Sequence, residues 1–231
     1  MMLRFSIAFL CLLLGPLGFA QQRMTPIQKL ANLTIPELEF AETPLGTAID
    51  FLRAKSVDLD PTGAGVNFVI SNTVDKTVPV TLRLRNAPIG DALRYLTELS
   101  RTSFKVDRVA VQIQPRDPEV SVPTQSSTSR LAGQLTQKMR AMQLTSIELS
   151  DTPLATAVDF LEGKSLELDP SKRGINFVIG DGVNREVPVS LRLNNVPLST
   201  ALGYVVQLSN NRIRVDPRAI VILPPQAALS Q

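Results

Sequence analysis

Two stretches of this chain carry nearly the same sequence, and this duplication limits the fold more than any other feature. "ETPLGTAIDFLRAKSVDLDP" at 42–61 returns 109 positions later as "DTPLATAVDFLEGKSLELDP" at 151–170. The same offset aligns residues 28–115 without a gap, and from Leu38 onward about half of the aligned positions are identical. A duplication of this length predicts two tandem domains with the same fold.

The segment between the two copies has the composition of a linker. "RDPEVSVPTQSSTS" is rich in Pro, Ser and Thr and lacks hydrophobic periodicity. We therefore predict five regions in chain order: a signal peptide at 1–20, a first domain at 25–115, a linker at 116–129, a second domain at 130–225 and a tail at 226–231.

The predicted signal peptide has the three parts of a secretory leader. Arg4 precedes the apolar run "FSIAFLCLLL", which is too short for a membrane span, and small residues end at Ala20. We expect cleavage after Ala20 and export to the periplasm or beyond the cell, with an uncleaved anchor as the alternative. Cys11 is the only cysteine, so the mature chain would contain none, and no membrane span would remain.

The doubled stretch has the periodicity of a helix that packs on a sheet. Leu45, Ala48, Ile49 and Leu52 recur at helical spacing and form one apolar stripe. We expect Thr43 to cap this helix, with Pro44 at its first position. The repeated residues are those that fill a helix–sheet interface, so the duplication concerns packing more than chemistry.

The remaining segments of each copy predict strands and a second helix. "VNFVI" is a short buried strand, "VPVTLRL" alternates as a strand with one wet face, "APIGDALRYLTELS" is helical and "FKVDRVAVQIQP" is a hairpin. The fold class predicted is α+β, with each domain βαββαββ and two helices packed on small β-sheets. A weaker period of 44 residues, which aligns Pro44 with Pro88, indicates that each domain consists of two similar halves.

Composition excludes several functions. The chain has 24 Lys and Arg against 21 Asp and Glu, no histidine and no tryptophan. A nearly balanced charge does not favour nucleic acid as a partner. Without histidine or a mature cysteine there is no Ser-His or Cys-His pair and no imidazole or thiolate metal site. We therefore expect no enzyme activity, no cofactor and no metal.

The carboxylates that precede a proline in each copy allow two interpretations. Asp58 with Asp60, and Glu167 with Asp169, stand two positions apart, as in a calcium loop, but the further ligands of such a loop are missing. The favoured interpretation is a turn in which Asp60 and Asp169 bond their own backbone. We expect Lys55 and Lys164 to lie near a helix C-terminus, and Tyr95 and Tyr204 to pack on a helix face with a wet hydroxyl.

The segments "IELSDTPLATAVDFLEGKS", "GINFVIG", "VPVSLRLNNVPLSTALGYVVQLS" and "IRVDPRAIVILP" resemble the secretin and TonB short N-terminal (STN) domain family. Both copies match this pattern over nearly their full length. The resemblance implies a compact periplasmic fold that makes protein–protein contacts at secretins and outer-membrane receptors. In this sequence the tandem copies are followed by neither a secretin ring nor a receptor barrel, so we expect a freestanding module.

Arg83 and Arg192 occupy the same outward strand position and are the residues we assign to protein binding, through a strand edge. The alternative is a solvated strand face. The function predicted is a non-catalytic adaptor that binds other envelope proteins, for example an outer-membrane complex, and self-association is compatible with it. A small-ligand or polysaccharide-binding protein that uses the groove between the domains, and a hydrolase based on carboxylates, stay as alternatives.

Overall fold

The computed structural model describes residues 24–116 and 128–225, which form a mixed α+β structure, as the sequence predicts. The predicted signal peptide, the tail and most of the predicted linker lie outside the described residues. None of the described helices combines the length and the apolar composition needed to cross a bilayer.

The two copies contain the same elements in the same order. In the first copy these are α1 (Pro26–Asn32), β1 (Thr34–Pro44), α2 (Leu45–Leu59), β2 (Phe68–Ile70), β3 (Pro79–Pro88), α3 (Ile89–Leu99), β4 (Thr102–Val106) and β5 (Val111–Pro115). In the second copy they are α4 (Thr128–Ala141), β6 (Gln143–Pro153), α5 (Leu154–Leu168), β7 (Asn176–Ile179), β8 (Pro188–Pro197), α6 (Leu198–Leu208), β9 (Arg212–Val215) and β10 (Ala219–Leu223).

Each copy builds one two-stranded and one three-stranded sheet. In the first copy β1 pairs with β3, and a second sheet has the order β2-β5-β4, in which β2 runs parallel to β5 and β4 antiparallel to it. The second copy repeats this arrangement with β6-β8 and β7-β10-β9. The predicted hairpin is therefore present in both copies, as β4-β5 and β9-β10.

The predicted helical stripes form the cores. Leu45, Ala48, Ile49 and Leu52 are fully buried, and so are their counterparts Leu154, Ala157 and Leu161. Two hydrophobic clusters result, one centred on each copy. The first cluster also contains Val178, Ala219 and Val221, which belong to the second copy. The two copies thus share buried apolar surface.

The start of α2 differs from the prediction. Thr43 does not cap the helix, because it belongs to β1 and pairs with Val80. Pro44 is the N-cap residue, and the first helical N–H groups, those of Leu45 and Gly46, each donate to a backbone carbonyl of residues 76–78 at 2.9 Å. Tertiary backbone contacts therefore satisfy the donors that we assigned to a side chain. The second copy has the same arrangement.

Each copy has one more helix than predicted. The helix α1 begins after Thr25, whose hydroxyl accepts from the Gln28 N–H while the Gln28 side chain accepts from the Thr25 N–H, a capping box. The corresponding helix α4 begins at Thr128, inside the predicted linker. Both helices lie outside the stretch of strongest repetition, which is why the duplicated pattern did not reveal them.

The shorter period of 44 residues has a structural counterpart. In β1 and in β3 the strand ends at a proline and the helix begins at the next residue, and these two strands pair antiparallel with Thr34 opposite Pro88. A non-glycine residue with left-handed backbone lies three positions before the first residue of each of the helices α2, α3, α5 and α6. These residues are Glu42, Asn86, Asp151 and Asn195, with φ of 49°, 50°, 47° and 52°. The same local strain recurs four times, as expected for two similar halves in each copy.

Candidate interaction surfaces

Arg83 and Arg192 each pair with a glutamate of the neighbouring strand. Arg83 pairs with Glu39 across β1-β3, and Arg192 lies 3.7 Å from Glu148 across β6-β8. Both pairs are at least partly exposed, so each contributes little to stability. The two positions differ in their surroundings, because Arg83 also lies near Glu162 of the second copy, while Arg192 remains open.

The carboxylates of the two turns bond their own backbone, as predicted, and each also binds a lysine that the sequence did not reveal. Asp60 accepts the N–H groups of Thr62 and Gly65 and the ammonium of Lys29, at 2.7 Å. The Lys29 ammonium and these N–H donors hold the pKa of Asp60 well below its usual range. Asp58 is exposed and pairs with Lys55, so the two carboxylates occupy different environments.

The second copy has the same turn. Asp169 accepts from the N–H groups of Ser171 and Gly174 and binds Lys138 of α4 at 2.7 Å. Burial acts to raise the pKa of Asp169, but Lys138 and the turn donors hold it well below its usual range. No group of three or more metal-ligating side chains occurs in the parts of the chain that the structure describes.

Lys55 and Lys164 lie before the last turn of their helices, because α2 continues to Leu59 and α5 to Leu168. The expected interaction with the helix C-terminus is therefore replaced by a local one. Lys164 binds Glu167 at 2.7 Å and lies over the ring of Phe160, and Lys55 makes the equivalent contacts with Asp58 and Phe51. Both lysines are structural surface residues in this arrangement.

A set of polar contacts joins the two copies. The side chain of Asn176, at the start of β7, accepts from the Arg85 N–H at 2.8 Å and donates to the Arg85 carbonyl at 3.1 Å. It thus satisfies the open edge of β3 in the way that a neighbouring strand would. The guanidinium of Arg85 also binds Glu162 of α5 at 2.7 Å.

The helix α3 carries a row of charged residues that meets opposite charges of the second copy. Glu98 receives two bonds of 2.9 Å from Arg214, a bidentate pair. Arg94 binds Asp216 at 2.9 Å, and the Tyr95 hydroxyl donates to the same carboxylate at 3.2 Å. Two further pairs, Asp91 with Arg218 and Arg101 with Asp181, extend this row at its ends.

These contacts define one docked surface on each copy. The docked helix face belongs to the first copy and consists of Arg85, Asp91, Arg94, Tyr95 and Glu98. The docked sheet face belongs to the second copy and consists of Asn176, Val178, Arg214, Asp216, Arg218, Ala219 and Val221. Since different surfaces of the two copies meet, the contact is heterologous.

Burial changes the titration of the groups at this contact. It raises the pKa of the Glu162 carboxyl to about 7, because desolvation outweighs the attraction of Arg85 and Arg83. It also raises the pKa of the Tyr95 hydroxyl, which therefore remains a donor to Asp216. The sequence prediction of a wet hydroxyl is wrong for Tyr95, which is 1% exposed.

Two cavities border the contact between the two copies. One, of about 60 Å³, lies between Arg83, Glu162 and Arg185, well below the several hundred Å³ of a small-molecule site. The other, of about 370 Å³, is lined by residues of the first copy, among them Leu30 and Phe104, and by Arg218 of the second copy. The larger cavity has the volume of a small-molecule site, whereas the docked faces occupy the contact beside it.

The duplication means that each docked face has an equivalent elsewhere, and both equivalents are exposed within residues 24–116 and 128–225. The open helix face, on the second copy, consists of Asn194, Thr200, Gly203, Tyr204 and Gln207, and the open sheet face, on the first copy, consists of Asn67, Val69, Lys105, Asp107, Val109 and Gln112. Tyr204 is 47% exposed although its counterpart Tyr95 is buried, and Val69 is 52% exposed although its counterpart Val178 is 3% exposed.

The strands under the open helix face show the same difference. Leu82 and Leu84 of β3 are fully buried, whereas their counterparts Leu191 and Leu193 of β8 are only partly buried. Leu208, next to Gln207, is half exposed. The apolar residues that repeat in both copies are the only signal of this surface in the sequence, because such a residue can be buried in one copy and exposed in the other. The sequence alone does not show in which copy it is exposed, because that depends on which faces dock.

Comparisons with protein-family models, with curated proteins and with solved structures find no match for this chain.

Proposed function

We propose that this chain is a non-catalytic protein-binding module of the cell envelope, exported to the periplasm and related to the STN family. The single observation that carries the proposal is the paired set of faces. One helix face and one sheet face are mated inside the chain. In the described part of the chain the equivalent faces expose apolar side chains, Tyr204 on the helix face and Val69 and Val109 on the sheet face, with Leu208 exposed beside the helix face. The contact inside the chain is therefore a model for the contact that the open faces can make.

The buried carboxylates favour binding over catalysis. Asp60 and Asp169 are each held by a lysine and by turn N–H groups, and Glu162 and Asp216 are each held by an arginine of the first copy. A substrate would have to displace this cation before it could bind any of the four carboxylates. The pairing therefore supports a structural role for these groups over the hydrolase hypothesis.

The open faces are more suitable for a protein than for a small ligand. They are flat sheet and helix surfaces with scattered apolar side chains, whereas a small-molecule site is a concave pocket of several hundred Å³. The sequence features of the leader support export, and the STN resemblance supports an envelope partner such as an outer-membrane complex. An adaptor role agrees with the open faces, the leader and the STN resemblance.

Site-specific photocrosslinking in cells tests the proposal. A photoreactive amino acid is placed at Tyr204 or Val69 in the full chain, with Lys172 in an exposed turn as the control position. We expect envelope proteins, identified by mass spectrometry, to crosslink at 204 or 69 and not at 172. Crosslinks that are equally frequent at all three positions, or absent from both open faces, would contradict a binding role.

A further inference from the structure

We propose that the open helix face of one molecule binds the open sheet face of a second copy of this chain, in the way that the docked faces meet inside the molecule. This inference rests on the proposed function and names its partner. Its basis is the duplication. Because the two copies share one fold, the second copy of one molecule can bind the first copy of the next molecule in the way that the first copy binds the second inside the chain.

The residues that would meet can be derived from the internal contact. Each residue of an open face is 109 positions from its counterpart in a docked face. The bond from Tyr95 to Asp216 becomes Tyr204 with Asp107, and the pair of Glu98 with Arg214 becomes Gln207 with Lys105. In both cases the donor and acceptor character is retained, since an amide oxygen accepts from an ammonium.

The contact at the strand edge is also retained. Asn176, which satisfies the Arg85 backbone, corresponds to Asn67, and Arg85 corresponds to Asn194. An asparagine side chain can therefore pair with the β8 edge of the neighbouring molecule as it does with β3 inside the chain. In the structure Asn67 is exposed at the start of β2, and its amide donates to the Val109 carbonyl.

The charges of the open faces permit this contact. The outer pair of Arg101 with Asp181 becomes Asn210 with Asn72, and the pair of Asp91 with Arg218 becomes Thr200 with Val109. Arg94 becomes Gly203, which leaves room beside Tyr204. These derived pairs bring no like charges together. One further approach is unfavourable, because Arg83 near Glu162 becomes Arg192 near Arg53, although Arg53 already binds Asp50.

The proposed contact between two molecules has fewer ion pairs than the contact between the copies inside one chain. The internal contact joins arginine to a carboxylate at Arg85, Arg94, Arg214 and Arg218, whereas the derived contact contains none of these pairs. We therefore expect a weaker, reversible association with little salt dependence, because the interactions that salt screens are missing. Since each molecule carries one face of each type, assembly continues beyond a dimer unless the symmetry closes a ring.

Sedimentation velocity of the exported full chain over a range of concentrations tests the inference. We expect the wild type to form a dimer and larger species as concentration rises. Tyr204→Glu places a carboxylate against Asp107, and Val69→Glu places one at the centre of the sheet face, so each variant alone should stay monomeric. Both side chains are about half exposed, so both variants should keep the wild-type circular dichroism and melting temperature.

A mixture of the two variants gives the sharpest result. Each variant retains the face that the other has lost, so an equimolar mixture should form a 1:1 dimer and nothing larger. A third variant is designed to strengthen association. Gln207→Glu restores, opposite Lys105, the charge pair that Glu98 makes with Arg214, and should tighten association by about fivefold and make it sensitive to salt. Lys172→Glu, in the exposed turn, is the matched control.

Several outcomes would overturn the inference. These are a monomeric wild type at millimolar concentration, a dimer that survives both charge variants, or a mixture that stays monomeric. The proposed function fails separately. If the chain is monomeric but positions 204 or 69 crosslink to other envelope proteins, the function stands and the second copy is the wrong partner; if both experiments are negative, both proposals fail.

Discussion

At the scale of single residues, the duplicated letters describe side chains that fill a core. Leu52 and Leu161 are fully buried in the two hydrophobic clusters. Replacing either with alanine should lower the free energy of unfolding by about 2–5 kcal/mol, because it removes buried methyl groups and leaves a cavity. Chemical denaturation measures this loss. A loss below half a kcal/mol at either position would show that its stripe is not core.

A second residue makes stability depend on pH. The pKa of Glu162 rises from an ordinary 4.5 to about 7 on folding, because of burial. The stabilising contribution of the protonated carboxyl is therefore complete below pH 4.5 and is lost as the pH rises through 7. Relative to Glu162→Gln, the wild type should lose stability across this window. Parallel pH profiles of the melting temperatures for the two proteins would contradict the assignment.

At the scale of elements, the additional helix of each copy contributes one lysine that binds the buried carboxylate of the turn. Lys29 of α1 is almost fully buried where it binds Asp60, whereas Lys138 of α4 is a third exposed where it binds Asp169. These equivalent pairs therefore form a natural comparison of the same contact at two degrees of burial.

Removing Lys29 should be the more damaging change. Lys29→Met leaves the Asp60 carboxylate buried without its counter-charge, and we expect it to cost about 3–5 kcal/mol. Lys138→Met should cost clearly less, because water can approach the site. Urea denaturation of both variants measures the difference. Equal losses would indicate that burial of the lysine is not what decides the strength of the pair.

The strand-to-helix junctions show what local sequence could predict. Proline after a strand indicated each helix start to within one residue, since Pro44 and Pro88 precede the first helical residues. The partner of the first N–H groups was predicted wrongly. A carbonyl from a distant loop is chemically equivalent to a threonine hydroxyl as an acceptor, and no local pattern distinguishes the two.

At the scale of the whole molecule, the two copies are joined by buried apolar surface as well as by ion pairs. Val178 lies in the hydrophobic cluster of the first copy, while its equivalent Val69 lies on the open sheet face. Val178→Ala should therefore lower stability by about 1.5 kcal/mol, the transfer free energy of two methylene-sized groups.

Val69→Ala is the matched control and should lower stability by less than half a kcal/mol, because the side chain is already half exposed. Differential scanning calorimetry of the two variants beside the wild type separates these results. Equal losses would show that the contact between the copies does not contribute to the stability of the folded chain.

The sequence by itself determined the fold class, the core stripes and the repeated order of elements apart from the first helix of each copy, because these depend on local periodicity that occurs in both copies. It also indicated the turns in which Asp60 and Asp169 bond their own backbone. The tertiary structure alone decided which faces meet. Tyr95 and Tyr204 have the same local pattern, yet one is buried against Asp216 and the other faces solvent, because burial of an outer surface depends on what docks there and not on the segment that carries it.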